Sequence, residues 1–544
     1  MDFRMHNSSL KLFLTDKYGR IKPEQIGIYS LPGYGKSLCE EGLCESFFNR
    51  KFCCIILGDG MKGEEEGAHA MFEPTYKYHL ELLRKEGKTP KKVPVKLYSP
   101  FTFNIPKTSL PNYNFYTIPI KSLLRSDFSM LAETQATSDT IKVLQQASKN
   151  LSKDGGIFQL LHDIQHLIKG KSKSKGITPT SKNFYLSVGS GTAKSMQEVS
   201  NLFHPFTTDY WLTKENSPYN LDFKKILDDN KSIHFFSTKY IKDPKMAEFV
   251  LLVLLNKIIE NKNLTKNPIC LIIPEIRKLC PDKVNVGFQR FLSEAVKNAL
   301  STIRSQGKGG IASILSSQSW IDTDQKVRDS HSMTLLGQLS ISDIDKISKV
   351  LGYSRDRKQD LSNPEQPNTF LIVGREADDW YHMFVPSWAH AEPETRFEDL
   401  FQKHYPEKMK KPTEIINTMK KMFETEETKF REKAKKESEA EWLREKQKKK
   451  EKELREGQSY TELKKRESKL KEQVKLKDME RAYNMRQAKP NLSLVEIGSA
   501  FGVSKDTILR WIKKYGEILK EQVIETKSEE TNPPINIEGA SSEQ

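Results

Sequence analysis

Residues 26–37 read IGIYSLPGYGKS, a short apolar run that feeds into a glycine-bearing turn closing on Gly35, Lys36 and Ser37. The run has the look of a buried strand, and the turn carries the ending of a phosphate-binding P-loop, G-x-x-x-x-G-K-S. Gly33 and Gly35 can fold the backbone over a phosphate with N–H groups pointing inward. The helix expected from SLCEEGLCESFFNR adds its positive N-terminal end. In that arrangement Lys36 reaches the β- and γ-phosphates of ATP while the Ser37 hydroxyl ligates Mg²⁺. The expected cradle is Ser30, Leu31, Pro32, Gly33, Tyr34, Gly35, Lys36 and Ser37. Ser30 stands where the motif has its first Gly, a tolerable departure because the later glycines form most of the cradle. The competing reading is a Gly/Pro turn with an incidental exposed lysine; the strand before it and the helix after it favour the phosphate reading.

Working outward, KFCCIILGDG (51–60) is a continuous apolar run suited to a strand covered on both faces in a parallel sheet. It ends at Asp59, where α/β proteins place ligand loops. NPICLIIPEIRKLCP (267–281) supplies another such strand, Ile269 to Ile273, ending in Pro274 and Glu275. In P-loop ATPases this strand usually ends Asp-Glu, the Asp holding Mg²⁺ through water and the Glu polarising the attacking water. Here Glu275 can serve as the base, but Pro274 removes the Asp, so the metal needs another group, Asp59, or hydrolysis is weak. A carboxylate that merely caps a strand-to-loop turn is the alternative. IASILSSQSW (311–320) reads as a strand ending at Gln318. Beside the P-loop strand, Gln318 can sense the γ-phosphate; satisfied by local backbone groups, it is only structural.

The remaining core segments fit an α/β chain. DPKMAEFVLLVLLNKIIENK (243–262) is a helix capped by Asp243 and apolar nearly all round, so it must be buried. KSIHFFSTKYI (231–241) reads as a strand, and VKLYSPFTFNIP with NYNFYTIPI (95–120) as one or two more. Helix is expected near 70–85, across 123–170 and in GFQRFLSEAVKNALSTIRSQGKGG (287–310). GSGTAKS (189–195) lacks the G-K-S ending and is read as an ordinary turn.

Composition sets limits on function. The chain has 544 residues, enough for two to four domains, and a formal charge of +16, which favours a polyanionic partner. No apolar stretch is long enough to span a bilayer and no signal peptide opens the chain, so a cytoplasmic protein is expected. The six cysteines show no paired C-x-x-C spacing and read as small buried hydrophobes in a reducing compartment.

From about Thr413 the composition turns to Glu, Lys and Arg. Glu432/Lys436, Glu445/Lys449, Glu451/Arg455 and Glu462/Arg466 place the acid first at i,i+4, the pattern of an exposed helical spacer broken near Gly457. Apolar positions are too irregular for a strict heptad, leaving only weak coiled-coil pairing. MERAYNMRQAKPNLSLVEIGSAFGVSKDTILRWIKKYG (479–516) then reads as a helix-turn-helix. Its first helix runs to about Lys489 and its second from Leu494 to Phe501. After a turn at Gly502-Val503, Ser504 caps a recognition helix, Lys505 to Tyr515. Ile497, Ala500, Val503, Ile508, Leu509 and Ile512 would lock the helices together. Lys505, Asp506, Thr507, Arg510, Lys513 and Lys514 would face outward, the early ones toward base edges and the later ones toward phosphates. A three-helix protein-docking module is the alternative. Residues 521–544 read as a disordered tail.

Taken in order, SLPGYGKS, LGDGMKGE, the apolar strand ending in PE, and STIRSQGKGGIASILSSQSWIDTDQKVRDS resemble the FtsK/HerA superfamily of P-loop motors, with a HerA/TraG-like DNA translocase core. The resemblance covers residues 20–390 and departs at Ser30, Pro274 and the extra residue between Asp59 and Gly63. It implies a RecA-like P-loop NTPase core that forms a homo-hexameric ring, with ATP at the subunit interfaces and double-stranded DNA in the pore. An arginine from the neighbouring subunit would stabilise transition-state charge. Arg304 is the first candidate and Arg328 the second, each otherwise an ordinary surface or ion-paired arginine. The expected organisation is an ATPase core at 1–400 with an inserted segment at 95–230, a charged helical spacer at 413–476, and a small all-α DNA-binding domain at 477–520. The function implied is an ATP-driven double-stranded DNA translocase of transfer, packaging or segregation type, with a site-selecting head and a possible relaxase, nuclease or packaging partner. The competing readings are a nucleotide-gated DNA-binding regulator or partition protein with slow turnover, and an inactive adaptor at a membrane pore.

Overall fold

The continuous apolar runs become strands buried on both faces. The computed structural model describes residues 25–58, 74–124, 127–128, 138–170, 210–284, 288–305, 311–364, 369–374, 377–382, 387–388, 397–457 and 460–529. It divides into two compact units, Met1–Ala434 and Lys435–Gln544.

In the first unit ten strands form one sheet: β1 (Gln25–Tyr29), β2 (Cys53–Gly58), β3 (Val95–Pro100), β4 (Asn114–Tyr116), β5 (Ile233–Ser237), β6 (Ile269–Ile273), β7 (Ile311–Ser317), β8 (Met333–Leu336), β9 (Thr369–Gly374) and β10 (Ala377–His382). Their order is β10-β9-β8-β1-β7-β6-β2-β5-β3-β4. Every pair from β8 to β4 is parallel, and β9 and β10 add an antiparallel edge. Successive side chains point to opposite faces of a strand. Accordingly Cys53, Ile55, Leu57, Leu271, Ile273 and Leu315 join one core cluster, and Cys54, Ile56, Cys270, Ile272 and Ile314 join the other. Helix α1 (Lys36–Asn49) packs Cys39, Leu43, Cys44 and Phe47 into the second cluster. Helices α2 (Pro244–Asn261) and α3 (Phe288–Ser305) cover the first. The Asp243 carboxylate accepts the Lys245 N–H at 3.0 Å, capping α2 one residue before a proline that suits the first helical turn. All six cysteines are buried free thiols.

Three differences from expectation stand out. The helix expected near 70–85 covers Lys77–Lys85, with residues 59–73 outside the described region. Among its described residues the stretch expected to be helical, 123–170, includes the helices Ser138–Lys149 and Ile157–Gly170, separated around the Gly155-Gly156 pair. The strands β8, β9 and β10 were not anticipated from sequence. GSGTAKS lies outside the described residues.

Helix α4 (Thr413–Gly457) begins in the first unit and runs past residue 434. The second unit continues with α5 (Tyr460–Ala488), α6 (Leu494–Phe501) and α7 (Lys505–Glu529). Ala482, Ile497 and Ile508 form its small core, with Leu492, Leu494, Phe501, Val503, Trp511 and Ile512 packed around them. A reciprocal capping box between Ser493 and Glu496 starts α6, and Gly502, at φ 63°, ends it in the left-handed conformation. Two expected core positions face outward instead: Ala500 is exposed and Leu509 is 53% exposed. Helix α7 also continues well beyond Tyr515, through residues 521–529, where a disordered tail was expected. Among the described residues no helix is long and apolar enough to cross a membrane.

Candidate nucleotide site

Because β1, β6 and β7 are parallel neighbours, the segments after them emerge on the same edge of the sheet. Tyr29 at the end of β1 pairs with Ser317 at the end of β7, and Leu315 pairs with Ile273 at the end of β6. The loop 30–35, Pro274-Glu275 and Gln318 therefore begin side by side.

The loop turns through left-handed glycines at Gly33 (φ 80°) and Gly35 (φ 94°), conformations that a Cβ would strain. No atom lies within 4 Å of where a Gly33 Cβ would project. Lys36 opens α1, so the first turn and positive end of that helix follow directly on the loop. The root of the loop is pinned by Ser30 N–H to Ser317 O (3.2 Å) and Leu31 N–H to Gln338 O (2.8 Å). Buried Ser30, the departure from the motif, fits because residue 337 is glycine: a Cβ there would fall 2.6 Å from Ser30 Oγ.

The buried Lys36 ammonium donates to Glu275 Oε1. Glu275 is itself buried and sits in the left-handed region (φ 52°, ψ 46°), uncommon for a residue with a side chain and costing about 1–3 kcal/mol. This turn follows directly from Pro274 and leads into the short helix Ile276–Leu279. Arg277, on that helix, ion-pairs with Glu275 Oε2 (3.2 Å) and donates from Nη2 to Gln318 Oε1 (2.8 Å). Its Nη1 also lies 3.8 Å from Asp322 Oδ2.

The structure thus brings together Lys36, Glu275 and, through Arg277, Gln318. Sequence reading did not single out Arg277. Its signal was its position two residues beyond a strand-ending glutamate, where a short helix can turn it back. Asp59 and the side chain of Arg304 lie outside the described residues; the backbone of Arg304 is in the last turn of α3. Arg328 is buried, 3.9 Å over the Trp320 ring, and donates to Asp282 Oδ1 at 3.3 Å. Lys505, Arg510, Lys513 and Lys514 are exposed on α7 in the second unit, and Thr507 is half-buried with its hydroxyl 3.0 Å from Ser504 Oγ.

A glycine-turned loop closing on Lys-Ser, a central parallel sheet and a glutamate facing that lysine decide the fold. The core is a RecA-like P-loop NTPase fold. No protein-family model matches the chain, and no curated protein matches it in sequence. Among solved structures it is similar to the bacterial conjugative coupling protein TrwB, truncated at its N-terminus (12% identity, 73% of this chain and 95% of that one, TM-score 0.45). It is also similar to VirB4 of Thermoanaerobacter pseudethanolicus (14% identity, 68% and 95%, TM-score 0.39). A third is the genome packaging NTPase B204 of Sulfolobus turreted icosahedral virus 2, in complex with ATP-gammaS (19% identity, 28% and 66%, TM-score 0.20).

Proposed function

We propose that this chain is an ATP hydrolase of the FtsK/HerA kind that moves double-stranded DNA as a homo-hexameric ring, its C-terminal helices serving as a DNA-binding head. The observation that carries the ATPase reading is the contact of the Lys36 ammonium with Glu275 beside a turn of left-handed glycines. A triphosphate seated on loop 30–37 competes with Glu275 for Lys36, neutralises its own charge on that ammonium and the α1 N-terminus, and leaves the Glu275 carboxylate able to accept a proton from water. Gln318, one residue beyond the neighbouring strand β7, is the proposed hydrogen-bond partner of the terminal phosphate.

A Mg²⁺ bound with the nucleotide would draw few oxygens from the described residues. Ser37 supplies one hydroxyl, Pro274 supplies no side-chain oxygen, and the described residues contain no cluster of three or more His, Cys, Asp or Glu suited to a metal. Mg²⁺ commonly keeps several waters and binds one or two protein oxygens together with substrate phosphates. Bound there, it would supply charge neutralisation between the phosphates; Asp59 is the proposed additional carboxylate.

DNA is proposed as the polyanion because the chain carries a +16 charge and the head presents Lys505, Arg510, Lys513 and Lys514 on one exposed helix. The trans-acting arginine is proposed as Arg304. Pro274 favours a second reading, a nucleotide-gated DNA-binding regulator with slow turnover. ATP turnover with and without duplex DNA separates the two: the motor hydrolyses faster on DNA, and the regulator binds ATP with little turnover in either case. Lys36→Ala should abolish DNA-stimulated hydrolysis while leaving DNA affinity near the parental value. Unchanged turnover in that variant removes the P-loop assignment.

A further inference from the structure

Arg277 occupies a position that the assignment of phosphate-binding lysine, base and sensor does not use. It lies two residues after Glu275, whose left-handed backbone (φ 52°, ψ 46°) reverses the chain so that the first turn of Ile276–Leu279 faces the ends of β6 and β7. One guanidinium then meets two groups from different strands: Nε is 3.2 Å from Glu275 Oε2, and Nη2 donates to Gln318 Oε1 at 2.8 Å. The guanidinium hydrogen-bonds Gln318 with one nitrogen while another lies as a charge beside Glu275; a lysine ammonium would have to meet both groups from a single atom.

Two chemical consequences follow. A triphosphate that draws Lys36 away from Glu275 removes one of the carboxylate's two cations, and Arg277 remains to hold it in place. Arg277 also fixes which way the Gln318 amide points. A guanidinium can only donate, so the carboxamide oxygen must face it, and the amide nitrogen is directed elsewhere. A γ-phosphate has only acceptor oxygens, so a sensing Gln must present that nitrogen.

We propose that Arg277 is a positioning residue that ties Glu275 to Gln318 within one subunit, holding the base when Lys36 engages phosphate and setting the Gln318 amide as a donor to the γ-phosphate. This rests on the ATP-site reading of the same loop.

The test uses the full chain and measures steady-state ATP hydrolysis on duplex DNA together with the affinity for a fluorescent ATP analogue. Arg277→Ala should lower kcat by about 10- to 100-fold, in the range seen when supporting contacts of a reactive centre are removed, while nucleotide affinity changes little. Arg277→Lys should fall between the parent and Arg277→Ala, because it keeps a charge but must meet both groups from one atom. Millimolar guanidinium ion should restore part of the Arg277→Ala rate, which a purely structural lesion does not allow. Gln318→Ala combined with Arg277→Ala should be little slower than the worse single variant, since both break one unit. Parental kcat in Arg277→Ala, absence of guanidinium rescue, or losses that multiply fully in the double variant each overturn the proposal. Hydrolysis by Lys36→Ala at the parental rate overturns the ATP-site reading instead, so the two failures are distinguishable.

Discussion

Lys36 and Glu275, 239 residues apart in the chain, make the contact on which the proposed chemistry turns. On that proposal the carboxylate has a double effect: it keeps the Lys36 ammonium at the site, and it opposes nucleotide because phosphate must displace it. Glu275→Gln separates these roles, since the amide has nearly the same shape but neither charge nor basicity. The variant should bind the fluorescent ATP analogue at least as tightly as the parent and hydrolyse ATP about 10²- to 10⁴-fold more slowly, the usual range for loss of a positioned base. Single-turnover hydrolysis alongside a binding titration checks both halves. Parental turnover would hand the base role to another group and leave Pro274-Glu275 as a structural turn.

At the scale of elements, the P-loop depends on a strand far away in sequence. Gly337 follows β8, and its missing side chain makes room for Ser30; a Cβ at 337 would also fall 2.9 Å from the Phe370 ring on β9. Gly337→Ala should therefore destabilise the first unit by about 1–3 kcal/mol, as overpacking does, and weaken ATP binding by displacing the loop root. Adding Ser30→Gly should recover part of both, with the Phe370 contact left unrelieved. Thermal unfolding and ATP-analogue titration of the single and double variants decide it; no recovery would mean that Ser30 and Gly337 are not coupled. This coupling shows what sequence could and could not disclose. β1, β2, β6 and β7 were legible because buried parallel strands are continuous apolar runs, and the loop because glycines and Lys-Ser carry its geometry locally. β8 has only four residues and β10, ADDWYH, is largely polar, so neither carries an apolar run; β9, TFLIVG, does carry one, and the sequence reading passed over it. Arg277 and Gly337 were opaque because each acts on a residue of another strand. In the C-terminal helices the turn at Gly502 and the cap at Ser504 were local and readable, whereas the capping box at Ser493 was not singled out. Leu509 was misread because its spacing fits a core face that the actual packing of Ile508 and Trp511 fills without it.

At the scale of the molecule, the candidate nucleotide site and the helix α7 that carries Lys505, Arg510, Lys513 and Lys514 belong to different compact units, so their functions should be separable by mutation. Deleting residues 458–544 should leave hydrolysis stimulated by generic duplex DNA and erase any preference for a particular sequence. Within the full chain, Arg510→Ala or Lys513→Ala should weaken DNA binding roughly evenly across sequences and reduce the dependence of log affinity on log salt by about one phosphate contact each. Lys505 and Thr507 sit in the first turn of α7, the end that meets base edges in helix-turn-helix proteins. Changes there should alter which sequence is preferred and leave the salt slope less affected. Affinity measured on several duplexes over a range of salt distinguishes the patterns. If none of these substitutions changes affinity even at low salt, where phosphate contacts are strongest, α6 and α7 dock protein, and the basic charge of the chain serves the first unit's grip on DNA.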